Sequence, residues 1–138
     1  MGMAAKAFAE VNVIDHVSIA VRDLKLSAAF YDAVLGALGL QRLAERSAMI
    51  GYGRKYPEFW LNARPAMAVL PEDCGAHLCL RATTADAVRA FHSLALAGGG
   101  FCNGPPGDRQ AAMTVYFAAF IRDRDGNRLE AAHFPKPA

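Results

Sequence analysis

The sequence has no long apolar run. Hydrophobic residues make up 54% of its 138 positions, yet Asp, Arg, Gly or Asn interrupts them throughout, so no stretch approaches the roughly 20 residues of a membrane span. A soluble protein without a membrane partner is expected. It also lacks a charge excess. Fifteen basic and 13 acidic residues leave a net charge of +2, and no basic cluster is present that could neutralise a row of phosphates, so a nucleic-acid partner is not expected. Cysteine is scarce. Cys74, Cys79 and Cys102 are odd in number and show no CxxC spacing, which argues against a disulfide framework and a structural zinc site and fits a reducing cytoplasm. Residues 1–11 are too short and too weakly apolar for a secretory signal, and Lys6 stands where a myristoylation signal needs Ser or Thr. They are expected to form a tail ahead of one domain at 12–134.

What is present is a repeat. Displaced by 61 places, from position 16 to 77, the chain sets His16 over His77, Ala29 over Ala90, Phe30 over Phe91, Leu35 over Leu96 and Gly39 over Gly100 without a gap. The two copies cover about 12–70 and 75–134. In the first, residues 14–21 alternate, with Val17, Ile19 and Val21 on one strand face and His16, Ser18 and Ala20 on the other. Asp23 can cap a helix whose Leu26, Phe30, Val34 and Ala37 form an apolar stripe, widened by Tyr31, Leu35 and Leu38 and ended by Gly39. In the second, residues 75–82 place Leu78 and Leu80 opposite His77, Cys79 and Arg81. Thr83 with Asp86 suggests a capping box for a helix bearing Val88, Phe91, Ala95 and Leu96, stopped by Gly98-Gly99-Gly100.

Further strands are expected at about 40–45, 47–53, 58–62, 111–122 and 127–134, the last two joined by a turn at Asp125-Gly126, with a loop at Gly104-Pro105-Pro106-Gly107. The fold class is α+β, two β-α-β-β-β modules forming a cupped mixed sheet. Each helix covers one face of its sheet, so the face carrying His16 or His77 is left to line a concavity.

Of four histidines, only His16 and His77 occupy matching places in the repeat. Glu130, opposite in parity to Leu129 and Ala131, brings a carboxylate to the same facing. Two imidazoles and one carboxylate form a three-ligand set with open positions for a divalent transition metal such as Fe, Mn, Zn or Ni. Ser18 and Arg81 share that facing and are candidate substrate contacts, while Trp60 and Tyr116 are candidate pocket walls. His92, in the helix, is expected to be exposed, His133 has the wrong parity for the site, and Cys79 is expected to be a small buried filler.

Ile14 to Asp23, Ala29-Phe30-Tyr31, Ala76-His77-Leu78 and Ala118 to Glu130, closing on Asp-Gly-Asn-Arg-Leu-Glu, together resemble the vicinal-oxygen-chelate superfamily. That superfamily includes glyoxalase I, extradiol dioxygenases, and fosfomycin and bleomycin resistance proteins. The resemblance spans about residues 12 to 134. It implies that His16, His77 and Glu130 fall on metal-ligand positions of the first, fifth and eighth strands, with Glu130 also the catalytic carboxylate.

The fourth ligand typical of glyoxalase I has no assignable counterpart. The symmetry mate of Glu130 is Trp60, Leu61 or Asn62. The resemblance therefore implies a metal-dependent lyase, isomerase or dioxygenase acting on a small molecule with two adjacent oxygens, working as a homodimer. Its alternatives are a metal-free protein that sequesters an aromatic or cationic compound, and a scaffold without activity.

Overall fold

Asp23 and Thr84 start the two helices by the same device: each side chain accepts the backbone N–H three residues on, from Leu26 and Ala87. The cap of the second helix is thus Thr84, one residue later than expected. Asp86 lies in the first turn, where a negative charge suits the helix dipole, but it pairs with Arg89 instead of completing a capping box.

The computed structural model describes residues 13–135, so the expected tail at 1–11 lies outside the described residues. The order is β1 (Val17–Val21), α1 (Leu24–Gly36), β2 (Gln41–Glu45), β3 (Met49–Gly53), β4 (Phe59–Ala63), β5 (Leu78–Arg81), α2 (Ala85–Ala97), β6 (Phe101–Gln110), β7 (Val115–Arg122) and β8 (Arg128–His133). The 61-residue displacement carries both ends of α1, 24 and 36, onto those of α2, 85 and 97. No described helix is long and apolar enough to cross a membrane.

Each half forms a four-stranded sheet, ordered β1-β4-β3-β2 and β5-β8-β7-β6. The first strand of each half pairs in parallel with its last, and the other pairings are antiparallel. The helices cover one face of each sheet, and a continuous core joins Val21, Phe30, Tyr31, Phe59 and Leu61 to Phe91, Val88, Ile121 and Leu129.

Register resolves the mate of Glu130. Val17 lies opposite Phe59 and Ser18 opposite Trp60, as Leu78 lies opposite Leu129 and Cys79 opposite Glu130. With Ser18 and Cys79 equivalent in the repeat, Trp60 is the counterpart.

Three expectations are corrected. The Gly104–Gly107 segment is inside β6, whose pairing with β7 shifts register on both sides of Gly104. An edge strand has one row of unpaired backbone groups, so it accommodates prolines and bulges that would disrupt a central strand. Leu26 is 45% exposed, whereas Tyr31 and Leu35 are fully buried. The packed face of α1 is centred on its 27–28, 30–31 and 34–35 pairs.

His92 is the third. It occupies in α2 the place that Tyr31 has in α1, a buried helix position, and its Nε2 is shut off from water without a partner. Tyr31 avoids that cost because its hydroxyl donates to Asp123 at 2.7 Å.

Phe30 and Phe91 are both buried, and replacing either with Ala should cost about 3–5 kcal/mol through lost transfer energy and cavity formation. Chemical denaturation measures this, and a cost near that of a surface substitution would contradict the packing described. Burial holds the His92 imidazole below its ordinary pKa. The neutral ring's contribution is therefore present above the unfolded value and lost as pH falls through the folded one. His92→Leu should flatten the drop in melting temperature between about pH 7.5 and 5.5. Melting curves of both proteins across that range check it, and parallel slopes would refute it.

Candidate functional site

Alternation along β5, β7 and β8 sends one set of side chains away from α2. Cys79 and Phe120 flank Glu130 directly, Arg81 and Ala118 flank Ala132, and Tyr116 and Phe134 follow at the far end. This is the open face of the second sheet. Glu130 is buried here, and its Oε1 lies 3.2 Å from Nε2 of His77, itself half-exposed.

The surroundings of Glu130 are dominated by its charge and by restricted solvent. Burial, then the negative charge of Glu130, pushes the Cys79 thiol up to about 12. The same two causes raise the Tyr116 hydroxyl. Cys79 lies among these groups in the concavity yet still shows part of its surface to solvent, which corrects the expectation of a buried filler. Strand parity had placed it beside His77 on the side that α2 leaves uncovered.

Aromatic rings and guanidinium groups frame the carboxylate. Tyr116 stacks on Phe134 with ring centres 4.8 Å apart, and the Arg81 guanidinium lies 4.8 Å from the Phe134 centre. Arg109 lies 5.6 Å from the Phe120 centre while donating to the Pro105 carbonyl at 2.6 Å. These contacts form a wall with an apolar surface and cationic edges.

Of the residues expected at the site, His77, Glu130, Arg81 and Tyr116 therefore share this face. His16 lines a cavity of about 520 Å³ together with His77, Cys79 and Arg81. Its Nδ1 contacts Asp15 at 2.8 Å, and that hydrogen bond, followed by one from Tyr56, holds the Asp15 carboxyl below its ordinary range. Ser18 reaches His77 through a different cavity of about 300 Å³, also lined by Cys74, Asn127 and Arg128. Trp60 lines neither. It lies on the open face of the first sheet, where a methyl built on Gly51 would come within 2.9 Å of its ring, and Arg46 covers it at 5.4 Å.

The fit of a metal follows from these positions. Two ligands about 2.1 Å from one cation have donor atoms roughly 3 Å apart, so the His77–Glu130 pair suits a shared cation. A third member is not gathered with them. Among the described residues no three His, Cys, Asp or Glu side chains form a metal-holding group.

Sequence reasoning missed Arg128, Phe120, Arg109 and Phe134. The parity that selected Glu130 also selects Arg128 and Phe120, two residues from Glu130 and from Ala118 on the same facing. Arg109 follows closely on Gly104-Pro105-Pro106-Gly107, whose composition signals a loop and masks the strand.

Comparison with known proteins agrees with the architecture. A family model described as Glyoxalase/Bleomycin resistance protein/Dioxygenase superfamily matches residues 13–131. A solved glyoxalase/bleomycin resistance protein from Albidiferax ferrireducens T118 is 32% identical, with TM-score 0.78, covering 88% of this chain and 99% of that one. The fosfomycin resistance protein FosX from Listeria monocytogenes shares the fold at 12% identity, with TM-score 0.63 and coverage of 91% and 95%. A glyoxalase/bleomycin resistance protein/dioxygenase family enzyme from Burkholderia phytofirmans PsJN is 18% identical, with TM-score 0.67, covering 88% and 98%. No curated protein matches.

A thiol held near 12 is almost wholly protonated at neutral pH and therefore a poor nucleophile. Alkylation at about pH 8, followed by peptide mass spectrometry, should label Cys74 and Cys102 ahead of Cys79. Glu130→Gln removes the adjacent charge and should speed labelling of Cys79. Equal rates for all three cysteines would show that the thiol is not so protected.

Proposed function

The chain belongs to the Glyoxalase/Bleomycin resistance protein/Dioxygenase superfamily, and from that premise we propose that it binds a small oxygenated molecule on the open face of its second sheet. We propose further that it acts there as a metal-dependent lyase, isomerase or dioxygenase. The observation that carries the reading is the buried Glu130 carboxylate with His77 Nε2 3.2 Å away. His77 and Glu130 would hold the metal, and His16, on the shared cavity, is the candidate third ligand.

A divalent ion bound there would act as a Lewis acid toward an adjacent oxygen pair. The chain's own residues set the rest of the chemistry. Glu130 is walled from water by Cys79 and Phe120, so its charge is strongly felt by whatever enters. Tyr116, kept protonated, can donate a hydrogen bond to a ligand oxygen, and Arg81 offers a cation held in place by Phe134. The working unit is proposed to be a cytoplasmic homodimer.

A second reading, metal-free sequestration of an aromatic compound, is favoured by the Arg81–Phe134–Tyr116 stack, which presents a flat preformed surface. Calorimetric titration of chelator-stripped protein with Mn, Ni, Zn and anaerobic Fe(II) separates the two. About one equivalent should bind, and Glu130→Gln, whose fold circular dichroism can verify, should weaken it by an order of magnitude or more. If no metal binds the unaltered protein more tightly than the variant, the metal reading fails and sequestration takes its place.

A further inference from the structure

Beyond Glu130 the open face of the second sheet ends in two arginines set directly opposite each other, Arg122 on β7 and Arg128 on β8. Like charges at directly opposed positions, with Cβ atoms about 4.5–5.5 Å apart, destabilise a sheet. Here each Nε is closed off from water and without a hydrogen-bond partner. Arg122 has one weak carboxylate neighbour, the exposed Glu72 at 3.7 Å, and its guanidinium lies over Phe101. The Arg128 side chain makes no hydrogen bond or ion pair with any described residue. Its nearest carboxylate along the strand, Glu130, is turned to His77.

Arg128 borders a cavity of about 190 Å³ whose other walls are Gly75, Ala76, His77, Asn103 and Phe120. It also borders the 300 Å³ cavity that contains Ser18 and His77. The cavity is therefore small, cationic on one side, supplied with an amide by Asn103, and open to the His77 edge of the proposed ligand site.

A partly buried guanidinium without an acceptor is costly, and an oxyanion supplies what it lacks, since charge-assisted N–H···O bonds are the strong ones and the guanidinium fork matches carboxylate and phosphate oxygens. We infer that Arg128, with Asn103 and His77 around it and Arg122 alongside, forms an oxyanion-binding site, so that the ligand of this face carries a carboxylate or a phosphate-type group. The inference deepens the proposal that this face is the ligand site and does not depend on whether a metal binds there.

The test uses the full chain, stripped of metal and kept in chelator, with ionic strength held constant by chloride so that general screening is equal in every arm. Sodium phosphate and sodium benzoate are titrated separately and followed by calorimetry and by melting temperature. At least one should bind with about one site per chain; benzoate alone would indicate a carboxylate, phosphate alone a tetrahedral oxyanion. Arg128→Gln should weaken that binding roughly tenfold or more, the loss of one charge-assisted contact, while Arg64→Gln, on an exposed arginine that borders neither cavity, should leave it unchanged.

Without added anion Arg128→Gln should melt no lower than the unaltered protein, because it removes a like-charge pair; a purely structural arginine would show a loss. If that variant fails to fold, Arg122→Gln carries the same test. Absence of binding by both anions above the chloride background, or equal binding by the Arg128 variant, overturns the inference. Because no metal is present in any arm, either result leaves the metal titration to stand or fall separately.

Discussion

The Asp123 carboxylate is the junction on which the rest of the structure depends. It is buried, and it accepts hydrogen bonds from the Tyr31 hydroxyl, from the backbone N–H groups of Asp125 and Asn127, and from the Asn127 amide. Asn127 in turn donates to the Ala20 carbonyl, and Asp125 takes the Arg22 guanidinium at 2.7 Å. One turn of the second half is thereby tied to the first strand and first helix of the other. Because β8 begins right after that turn, the same contacts set where Arg128 and Glu130 stand relative to β1. Burial nevertheless outweighs the hydrogen bonds and raises the Asp123 pKa. Its contribution is present below the unfolded value and lost as pH rises through the folded one, so ionising it opposes stability. What the junction does supply is a directional set of contacts between the halves, which nonspecific apolar packing lacks.

Much of this architecture was legible in the sequence because it rests on local chemistry repeated twice. The 61-residue displacement holds for both helices from end to end, and strand alternation placed His77, Cys79, Arg81 and Glu130 on a common facing. What could not be read depends on tertiary context. His92 looks like a solvent-facing helix residue until α2 is seen to bury it where α1 buries Tyr31. The prolines of β6 signal a loop unless that strand is known to be an edge. The Asp-Gly-Asn-Arg-Leu-Glu string carried the family resemblance through its order. Its first three residues turn out to build the junction between halves, and the last brings the carboxylate to the face.

The candidate site was legible in part, for a related reason. Parity states which face a side chain takes within its own sheet, but not how two sheets meet. His77, just ahead of β5, and Glu130 on β8 come within 3.2 Å at one sheet. His16, just ahead of β1, stands at the other and shares only a cavity with His77. Arg128 obeyed the parity rule as well as Glu130 did, yet an arginine on a strand face draws no notice until its Nε is found without water or acceptor.

The two halves differ in where glycine stands beside their paired positions, Trp60 and Glu130. In the first, Gly51 lies beside Trp60, the counterpart of Glu130, and the indole ring fills the space that a side chain there would occupy. In the second, the residue beside Glu130 is Phe120, whose ring turns outward over Gly104 on β6, where an added methyl would come within 2.9 Å of it. An aromatic ring lying over glycine thus covers the open face in one half. In the other the ring stands to one side and leaves the carboxylate to His77. Gly104 also adopts a positive φ of 158° at a register shift of β6. The edge-strand irregularity that obscures β6 in the sequence therefore lies directly beneath Phe120, the ring that borders the buried Glu130.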